Sequence, residues 1–149
     1  MFVRQDRGML AVLIMLDVGF YASRVATVSA ADIAERAGLA RRGIEPLLQT
    51  LSRSGLLDSV RGPKGGYRLG RARRDISLAD VMSTALAEDT ADADGPAGQI
   101  FDRVITPLWA ELDAALAAKL RAVTLDDLIK RGEAAGIARP MAEPITFSI

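Results

Sequence analysis

The hydrophobic pattern of the first half of the chain predicts three helices in succession. Residues 8–22 are apolar nearly all round, as in a helix that is buried on most sides. Residues 29–37 begin with an S-x-x-D cap and end before Gly38, the residue type that most often terminates a helix. Residues 40–54 then place isoleucine or leucine at the i, i+3, i+4 and i+7 positions of one face. A short glycine turn between two such helices is typical of a helix-turn-helix.

A short hairpin is predicted directly after these helices. Apolar residues at positions 56, 57, 60, 67 and 69 flank the segment 61–66, which is rich in glycine and contains Pro63. Glycine permits positive φ and proline fixes φ, so this segment can reverse the chain tightly. Three helices followed by a hairpin predict a mainly α fold, a winged helix-turn-helix with the hairpin as its small β wing.

The second half of the chain is predicted to be helical around one acidic loop. A capped helix starts at Ser77, and a loop rich in aspartate, glycine and proline covers residues 88–98. A long apolar pattern follows, and Pro107 either kinks that helix or restarts it; we favour one kinked helix. We therefore divide the chain into a winged domain (1–87), an acidic flexible loop (88–98), a dimerisation helix with a short terminal helix (99–136) and a tail (137–149).

Charge is distributed unevenly, although 19 Lys and Arg balance 19 Asp and Glu over the whole chain. Residues 1–74 contain 13 Lys and Arg against 6 Asp and Glu, whereas residues 75–149 contain 6 against 13. A basic half attracts nucleic-acid phosphates locally even when the net charge is zero. The first half is therefore the candidate nucleic-acid-binding part, and the second half is a separate acidic part.

The sequence contains neither cysteine nor histidine. This excludes disulfides, thiol nucleophiles, metal sites built from thiolates or imidazoles, and every catalytic triad that needs histidine. Because no other acid–base or nucleophile arrangement is visible, we expect no enzyme, no cofactor and no metal. The acidic loop is interpreted as solvated rather than cation-binding. The N-terminal apolar run is too short to span a bilayer, so we expect a cytoplasmic protein with no membrane partner.

Four residues of the second helix of the helix-turn-helix, three of them in its first turns, are the predicted base-reading group. They are Arg41, Arg42, Glu45 and Gln49. The N-terminal residues of this helix face base edges, where arginine can pair with guanine and glutamate can accept from cytosine. An arginine pair alone would be interpreted as a solvated helix end, but the capped helix, glycine turn and cationic hairpin around it favour DNA.

The hairpin tip supplies the predicted wing contacts. They are Arg61, Gly62, Pro63, Lys64, Gly65, Gly66 and Tyr67. A cationic tip fits phosphate or the minor groove, whereas a nucleotide-binding phosphate loop would need its lysine after the glycines. Further phosphate contacts are predicted for Arg4, Arg7 and Ser29.

The long apolar helix is interpreted as a dimer interface, because helix packing is a more common use of such a face than a ligand pocket. Trp109 suits the centre of that interface. The residues assigned to it are Phe101, Val104, Ile105, Leu108, Trp109, Leu112, Leu116 and Leu120.

Four stretches of the chain resemble the Rrf2 family of bacterial transcription regulators. They are residues 33–39, 44–51, 55–69 and 76–81, and the Arg-Gly-Pro-x-Gly-Gly-Tyr wing is the most specific of these motifs. The resemblance is close over residues 5–86 and looser to about 131. It implies a homodimeric repressor or activator in which Glu45 reads a base, Arg61 enters the minor groove, and the long helix crosses its twin.

Two departures from the family pattern matter for function. Many members carry a three-cysteine iron–sulfur site in the loop before the dimer helix, but residues 88–98 hold no cysteine. The family's sensing chemistry is therefore not expected in this chain. Gly43 and Pro46 replace the tyrosine and the polar residue often found around the glutamate, which predicts a different base preference.

The sequence thus predicts a sequence-specific regulator of transcription, with repression as the expected mode. It would act as a homodimer on a palindromic operator in double-stranded DNA, without sensing through an iron–sulfur cluster. The alternative is a protein-interaction module whose acidic half is the working surface. The signal stays open between a small molecule, a protein partner and no ligand.

Overall fold

A computed structural model describes residues 7–87 and 95–140 of the chain. Within these ranges the chain is mainly helical, with one two-stranded antiparallel sheet, which confirms the predicted fold class. The elements are α1 (Arg7–Tyr21), α2 (Ala30–Ala37), α3 (Arg41–Arg53), β1 (Leu57–Val60), β2 (Gly66–Leu69), a 3₁₀ turn (Arg73–Asp75), α4 (Leu78–Leu86), a π-turn (Phe101–Ile105), α5 (Thr106–Ala122) and α6 (Leu125–Ala134).

The helix-turn-helix forms as its local signals predict. The Ser29 hydroxyl accepts a hydrogen bond from the Asp32 backbone N–H and so caps α2. Gly38 ends α2 at φ 67°, a left-handed conformation that favours glycine. The chain then enters α3 at Arg41, and this helix continues through Pro46 to Arg53 although Pro46 has no N–H to donate to the carbonyl of Arg42.

α1 lies at the centre of the core. Ile14, Met15 and Val18 of α1 are fully buried, and the apolar face of α3 packs into the same cluster. Leu125 and Ile129 of α6 also belong to this cluster, so the terminal helix packs on the winged domain. The sequence-based division grouped this helix with the dimerisation helix, because its capping signal gives no information about its partner.

Gly19 explains how closely α6 approaches α1. A Cβ atom at this position would lie 2.9 Å from Cδ1 of Ile129 and 3.5 Å from Cδ2 of Leu125. A backbone hydrogen bond also ties the start of α6 to the segment before α4, because Leu125 N donates to Ile76 O at 2.8 Å. The start of α6 is therefore held both by this segment and by its packing on the end of α1.

A salt bridge joins α1 to α2. The Arg36 guanidinium donates to both carboxylate oxygens of Asp17, at 2.7 and 2.8 Å, and lies 4.2 Å from the centroid of the Tyr21 ring. The hydrogen bond to Asp17 raises the pKa of Arg36. This bidentate contact orients the first helix of the helix-turn-helix against the core.

The long helix is continuous across Pro107. A π-turn over Phe101–Ile105 precedes the proline, and the N–H of Thr106 donates to the carbonyl of Phe101, five residues earlier. Such a turn accommodates a residue that cannot donate its own N–H. The favoured single helix is therefore present, and a π-turn precedes Pro107. In the described ranges, no helix is long and apolar enough to cross a membrane.

Stability is expected to vary little between about pH 5 and 9 and to fall below about pH 4, because the chain has no histidine or cysteine to titrate near neutrality. The ammonium of Lys130 lowers the pKa of Asp126, and the backbone N–H of Thr124 lowers the pKa of Asp127. A carboxyl group whose pKa is lowered by folding stabilises the fold at pH values above its pKa in the unfolded state. This contribution is lost as the pH falls through its pKa in the folded state. Thermal melts followed by circular dichroism across pH 2.5–9 test this. Asp127→Asn should flatten the acid limb, and a marked drop between pH 5 and 9 would contradict the expectation.

Candidate nucleic-acid interface

The predicted base-reading residues lie on one face of α3, opposite its buried stripe. Arg41, Glu45 and Gln49 follow one another at intervals of four residues, so they share a face, and Arg42 lies beside them. Arg41, Arg42 and Gln49 are exposed and Glu45 is half-buried, whereas Leu47 on the other side of the helix is buried. The face can therefore meet a partner without disturbing the core.

An ion pair connects two of these residues. Arg41 Nε lies 2.9 Å from Glu45 Oε1, and their side chains are 65% and 44% exposed. An exposed pair of this kind contributes under about 1 kcal/mol. It therefore orients the two side chains and leaves both able to contact a partner. Sequence reasoning missed this pair, although the i, i+4 spacing is the signal that could have found it.

The hairpin forms in the predicted place, with Leu57 opposite Leu69 and Val60 opposite Gly66. Residues 61–64 at its tip are exposed. Gly62 has φ 118°, and a Cβ on Gly65 would collide with the Val60 carbonyl, so the tight reversal requires glycine at both positions. Arg61 and Lys64 are thereby presented at the end of a compact wing.

The wing is attached to the segment before α2. Val28 N donates to Tyr67 O at 2.9 Å, Tyr67 N donates to Val28 O at 2.8 Å, and Thr27 Oγ1 donates to Lys64 O at 2.9 Å. The Tyr67 ring is half-buried against the core. Tyr67, predicted as a wing contact, therefore anchors the wing, and the tip keeps a fixed position relative to α2 and α3.

Three residues were predicted to contact phosphate, and two of them, Arg7 and Ser29, belong to the residues that the structure describes. Arg4 lies outside the described residues. Arg7 is the first residue of α1, where its Nε donates to Ala85 O at 2.8 Å and its Nη2 donates to Thr50 Oγ1 at 3.3 Å. These bonds hold its guanidinium against α3 and α4 within the subunit, and its phosphate contact stays a prediction.

Ser29 lies at the surface beside the wing tip, which agrees better with a phosphate contact than the position of Arg7 does. It lines a shallow surface depression together with Thr27, Asp32, Lys64 and Gly65. The start of α2 and the wing tip therefore meet at one surface. The backbone N–H groups at the start of a helix favour an anion, and a nearby lysine adds positive charge.

The apolar face of the long helix is exposed in the single chain. Five of the eight residues assigned to a dimer interface are large hydrophobics that are 43–57% exposed, and α5 has no buried residue. These five are Val104, Leu108, Trp109, Leu112 and Leu116. The other three, Phe101, Ile105 and Leu120, are half-buried.

Comparisons with known proteins agree with this geometry. Residues 4–131 match the model of the Rrf2 family, described as iron-dependent transcriptional regulators. The HTH-type transcriptional regulator IscR of Xenorhabdus nematophila is 38% identical over 138 residues, covering 89% of this chain and 82% of that protein. The relatives are transcriptional regulators rather than enzymes.

Solved structures share the fold. The IscR structure from T. potens superposes with a TM-score of 0.70 at 30% identity, covering 94% of each chain. CymR (YrzC), the global cysteine regulator of B. subtilis, superposes with a TM-score of 0.69 at 24% identity, covering 88% of this chain and 98% of CymR. The second likeness concerns the fold alone.

The iron dependence in the family description does not fit the residues of this chain. An iron–sulfur cluster is held by cysteine thiolates, with histidine as the common variant ligand, and the chain contains neither. Among the described residues, no group of three or more aspartates or glutamates could hold a metal ion either. With the helix-turn-helix, the wing and the long helix in place, but without cluster ligands, the chain belongs to the Rrf2 family of DNA-binding transcriptional regulators.

Proposed function

We propose that this protein is a homodimeric, operator-specific repressor. Each subunit would place the start of α3 in a major groove and the wing in the flanking minor groove. The observation that carries the proposal is the fixed relation between these parts. The exposed Arg41–Gln49 face and the exposed Arg61–Lys64 tip belong to one body, because the Val28–Tyr67 hydrogen bonds attach the wing beside α2.

The second copy would pack on the exposed face of α5. A two-fold interface uses the same surface on both subunits, and an uninterrupted apolar helix face can serve in this way. Two-fold symmetry in the protein implies a palindromic operator with half-sites about one helical turn, or a multiple of it, apart. The bound dimer would repress transcription because it excludes polymerase from the operator. It would act in the cytoplasm.

Signalling would differ from that of cluster-bearing members. Because the chain supplies no thiolate or imidazole, its DNA affinity would not depend on an iron–sulfur cluster. The acidic second half, with 13 Asp and Glu against 6 Lys and Arg, favours a protein partner as the second candidate function. In that case a partner would still be captured after the arginines of the DNA-binding face are replaced.

Selection from random DNA with the purified full chain is expected to yield a palindromic sequence, whose affinity falls steeply with salt. Arg61→Ala should weaken binding to all sequences and reduce the salt slope of the dimer by about 2, because each subunit loses one phosphate contact. Glu45→Ala should instead cost about 1–3 kcal/mol of discrimination at one base pair. Fluorescence anisotropy at several salt concentrations measures both effects.

Arg131→Ala is the matched control, because Arg131 is an exposed arginine of α6 away from the wing and α3. It should leave the affinity and the salt slope unchanged. Selection that enriches no sequence, or binding that is insensitive to salt, would reject the proposed function. Equal effects of Arg61→Ala and Arg131→Ala would reject the role of the wing.

A further inference from the structure

A cleft of about 930 Å³ opens between the end of α1, the base of the wing and α6. Its lining comes from the α1 end and the loop after it, from β2, from the segment that links β2 to α4, and from α6 and the chain that follows it. None of the described lining residues belongs to α2 or α3. The cleft is therefore distinct from the base-reading face.

Arginine dominates the lining of this cleft. Six arginines and a single aspartate, Asp126, are the charged residues of its wall. The arginines are Arg24, Arg68, Arg71, Arg73, Arg74 and Arg139. Like charges gathered in one concavity repel each other, and a bound anion would relieve that repulsion. We call this feature the arginine cleft.

Three of the arginines are held in place by carboxylates. Arg68 Nε lies 2.8 Å from an oxygen of Asp58, its cross-strand neighbour, and Arg73 Nε lies 2.7 Å from an oxygen of Asp126. Arg139 lies 3.7 Å from Glu133. Asp126 is shared with Lys130, at 2.7 Å, so this single lining carboxylate cannot neutralise the remaining arginines.

The other three arginines are uncompensated. Arg24, Arg71 and Arg74 are exposed and make no side-chain hydrogen bond or ion pair within the ranges 7–87 and 95–140. Guanidinium groups present a planar fork of donors that matches phosphate or carboxylate oxygens in pairs. Three unpaired guanidinium groups beside three that are held by carboxylates provide more donors than one monovalent anion can use.

We propose that the arginine cleft binds a small polyanion, a molecule carrying two or more phosphate or carboxylate groups. Its volume falls in the range of about 300–1,000 Å³ that is usual for small-molecule sites. Arg68 and Leu69 lie at the end of β2 away from the tip, where the strands pair through Asp58 and Leu57. At this position α6 and the end of α1 form the other walls of the cleft, a concave shape that suits a compact ligand better than a DNA strand.

The cleft is connected to the wing through β2. The strand that contributes Arg68 and Leu69 continues to Tyr67 and Gly66, which attach the wing beside α2. A polyanion that draws Arg68 away from Asp58 would act on this hairpin. Under the proposed function such a ligand changes operator affinity, and by linkage the operator changes the affinity for the ligand.

The test titrates inorganic pyrophosphate into the full-length protein by calorimetry at constant ionic strength. Arg71→Gln/Arg74→Gln removes two uncompensated cleft arginines, and Arg24→Gln removes the third from a different segment. Arg121→Gln/Arg131→Gln is the matched control, with the same charge change at exposed sites on α5 and α6 outside the cleft. We expect at least a tenfold weaker pyrophosphate affinity in the double cleft variant and less than a twofold change in the control.

Two results would overturn this proposal. One is the absence of pyrophosphate binding by the unsubstituted protein, and the other is equal affinity in the cleft and control variants. A third measurement compares operators with short and long flanks in the same variants. If the cleft variants weaken only the long-flank complex and pyrophosphate does not bind, the cleft contacts DNA and the small-ligand proposal is wrong. Calorimetry needs no operator, so its result tests the polyanion site even if the DNA selection fails. The two proposals can therefore be rejected separately.

Discussion

Leu112→Asp is expected to convert the protein into a monomer that no longer binds its operator at concentrations where the unsubstituted protein does. Leu112 lies in the middle of the exposed apolar face of α5 and is 54% exposed in the single chain. A dimer that forms through this face would bury it, and a charge has no partner there among apolar residues. The aspartate would therefore be desolvated without compensation.

The size of the effect follows from symmetry. A two-fold interface contains every substitution twice. Losing the burial of one leucine costs about 1.5–3 kcal/mol, so two copies cost about 3–6 kcal/mol before any desolvation of the charge is counted. At about 1.4 kcal/mol for each factor of ten, the dimer dissociation constant rises by about two to four orders of magnitude. Operator affinity falls with it, because a palindrome is bound by both subunits together.

Ala114→Asp is the control for this experiment. Ala114 is exposed, and it lies two residues after Leu112, which places it on the opposite side of the helix. It adds the same charge to the same helix and should leave the dimer intact. Analytical ultracentrifugation measures the assembly, and Trp109, the only tryptophan of the chain, reports it through its fluorescence. A Leu112→Asp protein that still sediments as a dimer would place the interface elsewhere.

Local sequence signals predicted the parts of this fold that depend on local contacts. The predicted caps at Ser29 and Ser77 form, and Thr124 caps α6 in the same way: each side chain accepts from the backbone N–H three residues later. Gly38, Gly62 and Gly65 also follow from local signals, because their positive φ or close backbone approach is decided within a few residues. The same signals located the wing and the α3 face that is predicted to read bases.

Contacts between distant segments could not be read in this way. The inward hydrogen bond of Arg7 depends on the carbonyl of Ala85, 78 residues away, which its position at an apolar helix does not indicate. Packing of α6 depends on the absence of a side chain at Gly19, more than 100 residues earlier. The arginine cleft is assembled from several separate segments, and each arginine looks ordinary in its own segment.

Gly66→Ala tests how the wing is attached, and it is expected to lower both operator affinity and stability. A Cβ at this position would lie 2.5 Å from Val28 O and 3.0 Å from Thr27 Oγ1. Because the first of these atoms belongs to the backbone, it cannot rotate away, and the hairpin must separate from the segment before α2. The two Val28–Tyr67 hydrogen bonds would then be lost, at about 1 kcal/mol each, or about 2 kcal/mol of unfolding free energy.

Gly43→Ala is the same substitution at a position where it is expected to raise, rather than lower, the free energy of unfolding. Nothing lies within 4 Å of a Cβ at Gly43, which sits inside α3 without a positive φ, so alanine should stabilise the helix by about 1 kcal/mol. Urea unfolding compares the two variants.

For Gly66→Ala, anisotropy should show at least a tenfold loss of operator affinity, because a displaced wing no longer presents Arg61 to the minor groove. Normal affinity in a Gly66→Ala protein would mean that DNA recognition does not require the wing to be held beside α2.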